Sequence, residues 1–255
     1  MSRLRVEGLS IEFGGVRAID ALSFELERGR IHAIIGPNGA GKTTLFNLIT
    51  GLYRPGAGRI LFEDEDVAGR PPHELAARGL SRTFQNLQVF ERMTALENVM
   101  VGRHLHEDRS LLAHLLRLPR VVRNERATRD RALELLGFVG LGAHADERAG
   151  ALPYGALKRL EIARALATEP RMLLLDEPAA GCNRVEAGEI DRLVRRVAAE
   201  GVTVVLVEHD MHLVMNLAEH VVVLDYGRKL AEGTAAEVRA NPEVIAAYLG
   251  TRARA

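Results

Sequence analysis

The sequence predicts an α/β fold: a mostly parallel sheet covered by helices, with an antiparallel β layer at the N-terminus and an inserted helical subdomain. Three observations predict it. A glycine loop at 36–43 (GPNGAGKT) stands between a short apolar run at 30–35 and the helix-like TLFNLIT. Apolar runs at 172–175, 202–207 and 220–224 alternate with helix-like stretches at 184–200 and 211–218, which is the rhythm of a parallel sheet with crossover helices. The N-terminal LRVEGLSIEF and ALSFELERG instead alternate apolar and polar residues, as half-buried antiparallel strands do.

The second of those strands closes on the turn-like Arg28-Gly29, and the loop-helix unit is punctuated by Gly and Pro at 51–58. RILFEDEDV follows as a solvent-edged strand running into an acidic turn. The run 63–66 lacks the glycine and glutamate of an EF-hand loop and reads as a solvated turn. Segments 94–101, 111–118 and 121–136 carry helical spacing and many arginines, so a helical subdomain is expected at approximately 86–165. NPEVIAAYLG supplies one last short helix in a helical tail, 234–255. No internal repeat is evident, and 1–255 is expected to form a single domain.

Composition narrows the function. With 47% hydrophobic residues the 255-residue chain can bury a sizeable core. Lys+Arg and Asp+Glu are both 34, so no electrostatic footprint for nucleic acid is expected. The lone Cys182 excludes an intramolecular disulfide and suits a reducing compartment, while MSRLRVEGLSIEF lacks a signal peptide's apolar stretch and no run is long enough to span a bilayer. A cytoplasmic protein is expected. Lysine occurs only at Lys42, Lys158 and Lys229, so each stands out against the arginines.

The glycine loop has two glycines, Gly36 and Gly41, with four residues between them, then lysine, then threonine. That spacing lets backbone N–H groups turn inward around phosphates, places a helix N-terminus behind them, adds the mobile charge of Lys42 and offers the Thr43 hydroxyl to magnesium. RMLLLDEP is an apolar strand ending in Asp176 and Glu177, where open α/β sheets bind ligands; Asp176 is a magnesium candidate and Glu177 a base for an attacking water. LPYGALKRLEIARALA opens an arginine-bearing helix with Pro and Gly. His104, His106 and His114 have no acidic or thiol partners at ligand spacing.

Taken together, the loop, the LPYGA-led helix and RMLLLDEP resemble the Walker A, signature and Walker B segments of ATP-binding cassette (ABC) proteins, over nearly the whole chain. The resemblance implies ATP and Mg2+ as ligands. It places Gly36, Pro37, Asn38, Gly39, Ala40, Gly41, Lys42, Thr43 and Thr44 around the nucleotide, with Thr43, Gln85 and Asp176 toward the metal. Gln85 (RTFQN) matches the Q-loop glutamine, His209 (LVEHD) the switch histidine, and Glu177 the catalytic carboxylate. Phe13 (IEFGG) sits where an aromatic ring stacks on adenine, a core phenylalanine being the alternative. Asn183 (AAGCN) fills the D-loop position that faces a second subunit. The signature Leu152, Pro153, Tyr154, Gly155, Ala156 acts in trans in this family, but here Pro153 replaces the usual Ser and Ala156 the usual Gln; Cys182 and Arg184 also depart from the D-loop pattern.

The wording EFGGVRAID, GPNGAGKTTLFNLITG, RTFQNLQVF, LDEPAAG, VEHDMHLVM and NPEVIAAYLG is more narrowly similar to the ATPase subunits of branched-chain amino acid importers of the Liv type. That implies an ATP hydrolase paired with a second cassette, bound to integral membrane permease subunits on the cytoplasmic side of the inner membrane, and served by a periplasmic solute-binding protein; the altered signature at Pro153 and Ala156 makes a heterodimer the expectation for that pair. Urea or amide importer subunits are one alternative; a soluble ABC ATPase of DNA repair or translation is another, disfavoured by the neutral charge and the absence of a basic arm.

Overall fold

The computed structural model describes residues 2–84, 87–106, 115, 118–208 and 211–252. They form two compact units. The first comprises Met1–Arg82, Arg171–Pro178 and Asp191–Ala255; the second comprises Thr83–Pro170 together with Ala179–Ile190. Whereas the sequence suggests a continuous subdomain at 86–165, the second unit also takes in the segment after the Asp-Glu-Pro strand end.

Two sheets build the first unit. The N-terminal strands β1 (Ser2–Phe13) and β2 (Val16–Glu27) pair antiparallel, and β4 (Ala57–Phe62) and β5 (Glu65–Asp66) extend the layer in the order β2-β1-β4-β5. Alternating burial along β2 is what a sheet with one wet face requires. The second sheet runs β10-β9-β3-β8-β7-β6, from β3 (Ile31–Ile35), β6 (Leu80–Arg82), β7 (Met172–Asp176), β8 (Thr203–Val207), β9 (His220–Asp225) and β10 (Arg228–Gly233). All its pairings are parallel except β9 with β10. Every residue of β3, β7 and β8 is buried, which is why these strands read as continuous apolar runs.

Of the acidic turn expected at 63–66, Glu63 and Asp64 make the turn between β4 and β5, at φ +51° and +66°, and Glu65–Asp66 are β5 itself. The turn is not simply solvated. Glu63 gathers Arg3 and Arg171 in ion pairs, with Arg28 3.6 Å away, and these three arginines hold its carboxyl below the usual range against a burial that raises it.

Helix α1 (Lys42–Ile49) follows β3, and α2 (Pro72–Ala77) precedes β6. The second unit holds α3 (Ala95–Gly102), α4 (Pro119–Phe138) and α5 (Tyr154–Leu166). A reciprocal capping box starts α3: Thr94 accepts from the Glu97 N–H, and Glu97 accepts from the Thr94 N–H. Buried Asn98 bonds the backbone of Phe90 in both directions, at 2.8 and 3.0 Å, and so pins the preceding loop. Most of the helix expected at 111–118 lies outside the described residues. The tail carries α8 (Ala235–Ala240) and α9 (Pro242–Arg252), after α6 (Arg184–Ala199) and α7 (Met211–Leu217).

His32 on β3 is 1% exposed and donates its Nε2–H to the Glu27 carbonyl at 2.9 Å, with its Nδ1 3.4 Å from Nδ1 of His220 on β9. Burial, with His220 adding to it and Glu27 and Glu219 opposing, lowers its pKa to about 4. The folded state therefore favours neutral His32. Its contribution is present above the unfolded value of 6.5 and is lost as pH falls toward 4, reaching about 2 kcal/mol by pH 5. Denaturant unfolding at pH 7.5 and pH 5 should give a smaller difference for His32→Gln than for the unaltered chain by about that amount.

Candidate functional site

Strand register sets the geometry of the site. Ile34 of β3 and Asp176 of β7 both pair with Val207, from opposite sides of β8. The carboxyl ends of β3 and β7 therefore lie level, separated by one strand, or roughly 10 Å. This is the carboxyl end of an open sheet, where ligands bind.

The glycine loop leaves β3 through Gly36, whose φ of +154° and near-contact with the Leu224 carbonyl, 2.1 Å from any added Cβ, exclude a side chain. Gly36, Pro37 and Ala40 are buried; Asn38 and Gly39 are exposed. Gly41, at φ 100°, starts α1 without a side-chain cap, so the helix presents its first N–H groups from backbone alone. Lys42 folds back along the loop and donates from Nζ to the carbonyls of Gly36 (2.7 Å) and Pro37 (2.9 Å). Burial lowers its pKa, opposed first by Glu177 and then by Asp176, whose charges reach it across the site. Thr43 is exposed at the mouth of the loop and Thr44 is half-buried.

Asp176 ends β7 and is buried. Glu177 follows at φ +48°, a conformation that a non-glycine side chain adopts only under constraint, and its N–H donates to the Val207 carbonyl at 2.9 Å. Its backbone is thus pinned to β8 while its half-buried side chain remains near Lys42.

Phe13 closes β1 and is 45% exposed, which removes the core alternative; its ring meets Tyr53 edge to face at 5.2 Å. Sequence reasoning missed Tyr53. It also missed Arg82, an arginine at the end of a buried strand, which by itself calls for a buried partner. A third omission is Tyr248 on α9, where burial pushes the phenol up to about 12 and the backbone N–H of Gly36 acts the other way. Gln85 and His209 lie outside the described residues.

In the second unit, Pro153 and Tyr154 are exposed at the start of α5, while Leu152, Gly155 and Ala156 are buried. The space over Gly155 is taken by the Glu186 carboxylate, 2.7 Å from any added Cβ. Asn183 is occupied locally: its Oδ1 accepts the N–H groups of Val185 (2.9 Å) and Glu186 (3.1 Å), and its own N–H donates to Glu186, as a helix cap does at the start of α6. His104 lies against the Val101 carbonyl and His106 3.8 Å from Glu169; His114 lies outside the described residues. Among the described residues no helix is long and apolar enough to cross a membrane.

Residues 19–180 match the family model of ABC transporters, and 228–254 match that of the branched-chain amino acid ATP-binding cassette transporter. The chain is 46% identical, over 98% of its length and 99% of the relative's, to the high-affinity branched-chain amino acid transport ATP-binding protein BraF of Pseudomonas aeruginosa. It is 44% identical, over 97% of each chain, to LivG of Escherichia coli, which bears the same description. Among solved structures, the ADP conformation of an ATP-binding cassette of an ABC transporter superposes with a TM-score of 0.86 at 36% identity, over 98% of this chain and 99% of that one. A nucleotide-free cassette gives 0.85 at 36% identity, over 97% and 99%. With a glycine loop, an Asp-Glu strand end and these matches along its length, the chain belongs to the ABC transporter family, as an ATP-binding cassette.

Proposed function

We propose that this chain is the ATP-hydrolysing subunit that energises a branched-chain amino acid importer. The observation that carries the reading is the level alignment of the Lys42 loop and the Asp176-Glu177 strand end across β8, in a chain 46% identical to a branched-chain amino acid transport ATP-binding protein. In this reading the loop backbone and Lys42 bind the ATP phosphates, Phe13 stacks on adenine, and Glu177 takes the proton of the attacking water. By their match to the family's motifs, Gln85 and His209 are assigned roles toward that water and the γ-phosphate.

The donor set suits magnesium: a hydroxyl from Thr43 and a buried carboxylate from Asp176 are hard oxygen ligands. When bound, the ion would neutralise phosphate charge in the transition state. The chain's own part is to hold those oxygens and to keep Glu177 oriented through its backbone bond to β8.

The cassette pairs head to tail with a second cassette, docks on permease subunits at the cytoplasmic face of the inner membrane, and responds to a periplasmic solute-binding protein. Reconstitution tests this directly. ATPase in permease-containing vesicles should rise with binding protein loaded with leucine, isoleucine or valine. Stimulation by urea or an amide instead, or none by any loaded binding protein, would overturn it.

The second cassette is a different chain, because Pro153 offers neither hydroxyl nor N–H to ATP held across the interface. Two such signatures in a homodimer would weaken both sites. Ala156 is buried and Pro153 exposed, so Pro153→Ser is the cleaner repair. With the Lys42 site disabled, Pro153→Ser should raise hydrolysis at the partner's site on the order of tenfold, below the 10² to 10³ of a fully placed donor. An unchanged rate would end the asymmetry proposal.

A further inference from the structure

Among the described residues, the Asp176 carboxylate is held by a side chain from a neighbouring strand. Arg82, the last residue of β6, donates from Nη2 to Asp176 Oδ2 at 2.8 Å, and both side chains are buried, at 6% and 4% exposure. The other arm of the same guanidinium, Nη1, donates to Asn47 Oδ1 at 2.6 Å and to Thr50 Oγ1 at 3.3 Å. Its carbon lies 5.4 Å from the centre of the Phe46 ring. Phe46 and Asn47 belong to α1, and Thr50 caps that helix's C-terminus. One planar fork thus bridges the helix that begins with Lys42 and Thr43 and the strand that ends with Asp176.

A buried ion pair is a poor source of stability, because desolvation consumes most of the attraction. What the arrangement does supply is orientation. By holding Oδ2, Arg82 sets the rotation of the carboxylate and hence the direction of Oδ1; by gripping Asn47 and Thr50, it sets the spacing between α1 and β7. Those are the two elements that carry Thr43 and Asp176. We infer that Arg82 is a positioning residue that fixes the Asp176 carboxylate relative to Thr43 for magnesium binding, with Asn47 as its anchor on the phosphate-loop helix. The inference rests on the reading of Asp176 as a magnesium residue.

Lysine at 82 keeps the charge but cannot reach Asp176 and Asn47 together. ADP binding to the full chain, titrated with Mg2+ and repeated in EDTA, separates metal placement from phosphate-loop integrity. Arg82→Lys should raise the Mg2+ needed for half-maximal enhancement about tenfold, as loss of an outer-shell partner does, and leave ADP affinity in EDTA unchanged. Asn47→Ala, which leaves the Arg82–Asp176 pair in place, should shift the same midpoint a few-fold. Asp176→Asn should abolish the enhancement; if it does not, the magnesium reading of Asp176 itself falls. If Asp176→Asn abolishes it while the other two variants keep the original midpoint, or lose ADP affinity equally in EDTA and Mg2+, Arg82 is only a structural brace and the inference falls. Should Arg82→Lys fail to fold, Asn47→Ala decides alone.

Discussion

Glu177→Gln is expected to cut turnover at its own site by roughly 10² to 10⁴-fold while ATP stays bound. Glutamine preserves length, shape and hydrogen bonding, and the N–H bond of residue 177 to the Val207 carbonyl does not depend on the side chain. The strained φ of +48° is kept as well, so the amide takes up the carboxylate's position with no base to offer. Single-turnover hydrolysis in the assembled transporter, with filter binding of ATP measured in parallel, reads both quantities. Hydrolysis at the original rate at both sites would remove Glu177 from the reaction.

Lys42→Ala should weaken ATP binding by roughly 10 to 100-fold, the value of a hydrogen-bonded charge on phosphate. The backbone N–H groups of the loop and of α1 remain, so the variant keeps residual affinity. Lys42 also stitches the loop to itself through the Gly36 and Pro37 carbonyls, but its buried ammonium carries a desolvation cost that alanine removes. These opposing effects leave fold stability little changed, and a melting curve establishes that before the binding isotherm is read. Unaltered ATP affinity in the folded variant would overturn the phosphate-loop assignment.

The features legible in the sequence are those fixed by local chemistry. The strands at 172–176 and 203–207 are readable because both faces are buried and every position is apolar or ends the strand. The glycine loop is readable because a backbone cradle admits few residue types. Strand β10 (RKLAEG) escaped notice: an exposed edge strand has no apolar run to betray it. Helix α2 is six residues long, too short to show a helical period. Partners distant in sequence were equally hidden. The acidic turn reads as solvated, yet Glu63 meets arginines at positions 3, 28 and 171; Arg82 carries no motif of its own, yet it holds Asp176, 94 residues away. The role of Phe13 depended on exposure, which sequence alone left open between stacking and core.

One cluster crosses the boundary between the two family matches. Ala33 and Ile35, from the strand that delivers the phosphate loop, share a hydrophobic cluster with Val238 and Val244 of the tail, and Tyr248 packs against it beside Gly36. The tail is therefore not a detachable module added to a finished catalytic core. The floor beneath the strand that delivers the nucleotide loop is built by both matched segments together with Val214, Ala218, Val221 and Val223 from the stretch between them, so these side chains constrain one another as neighbours in one packed interior do. Exchange of the terminal segment between cassettes is in physical terms a repacking beneath the strand that delivers the phosphate loop.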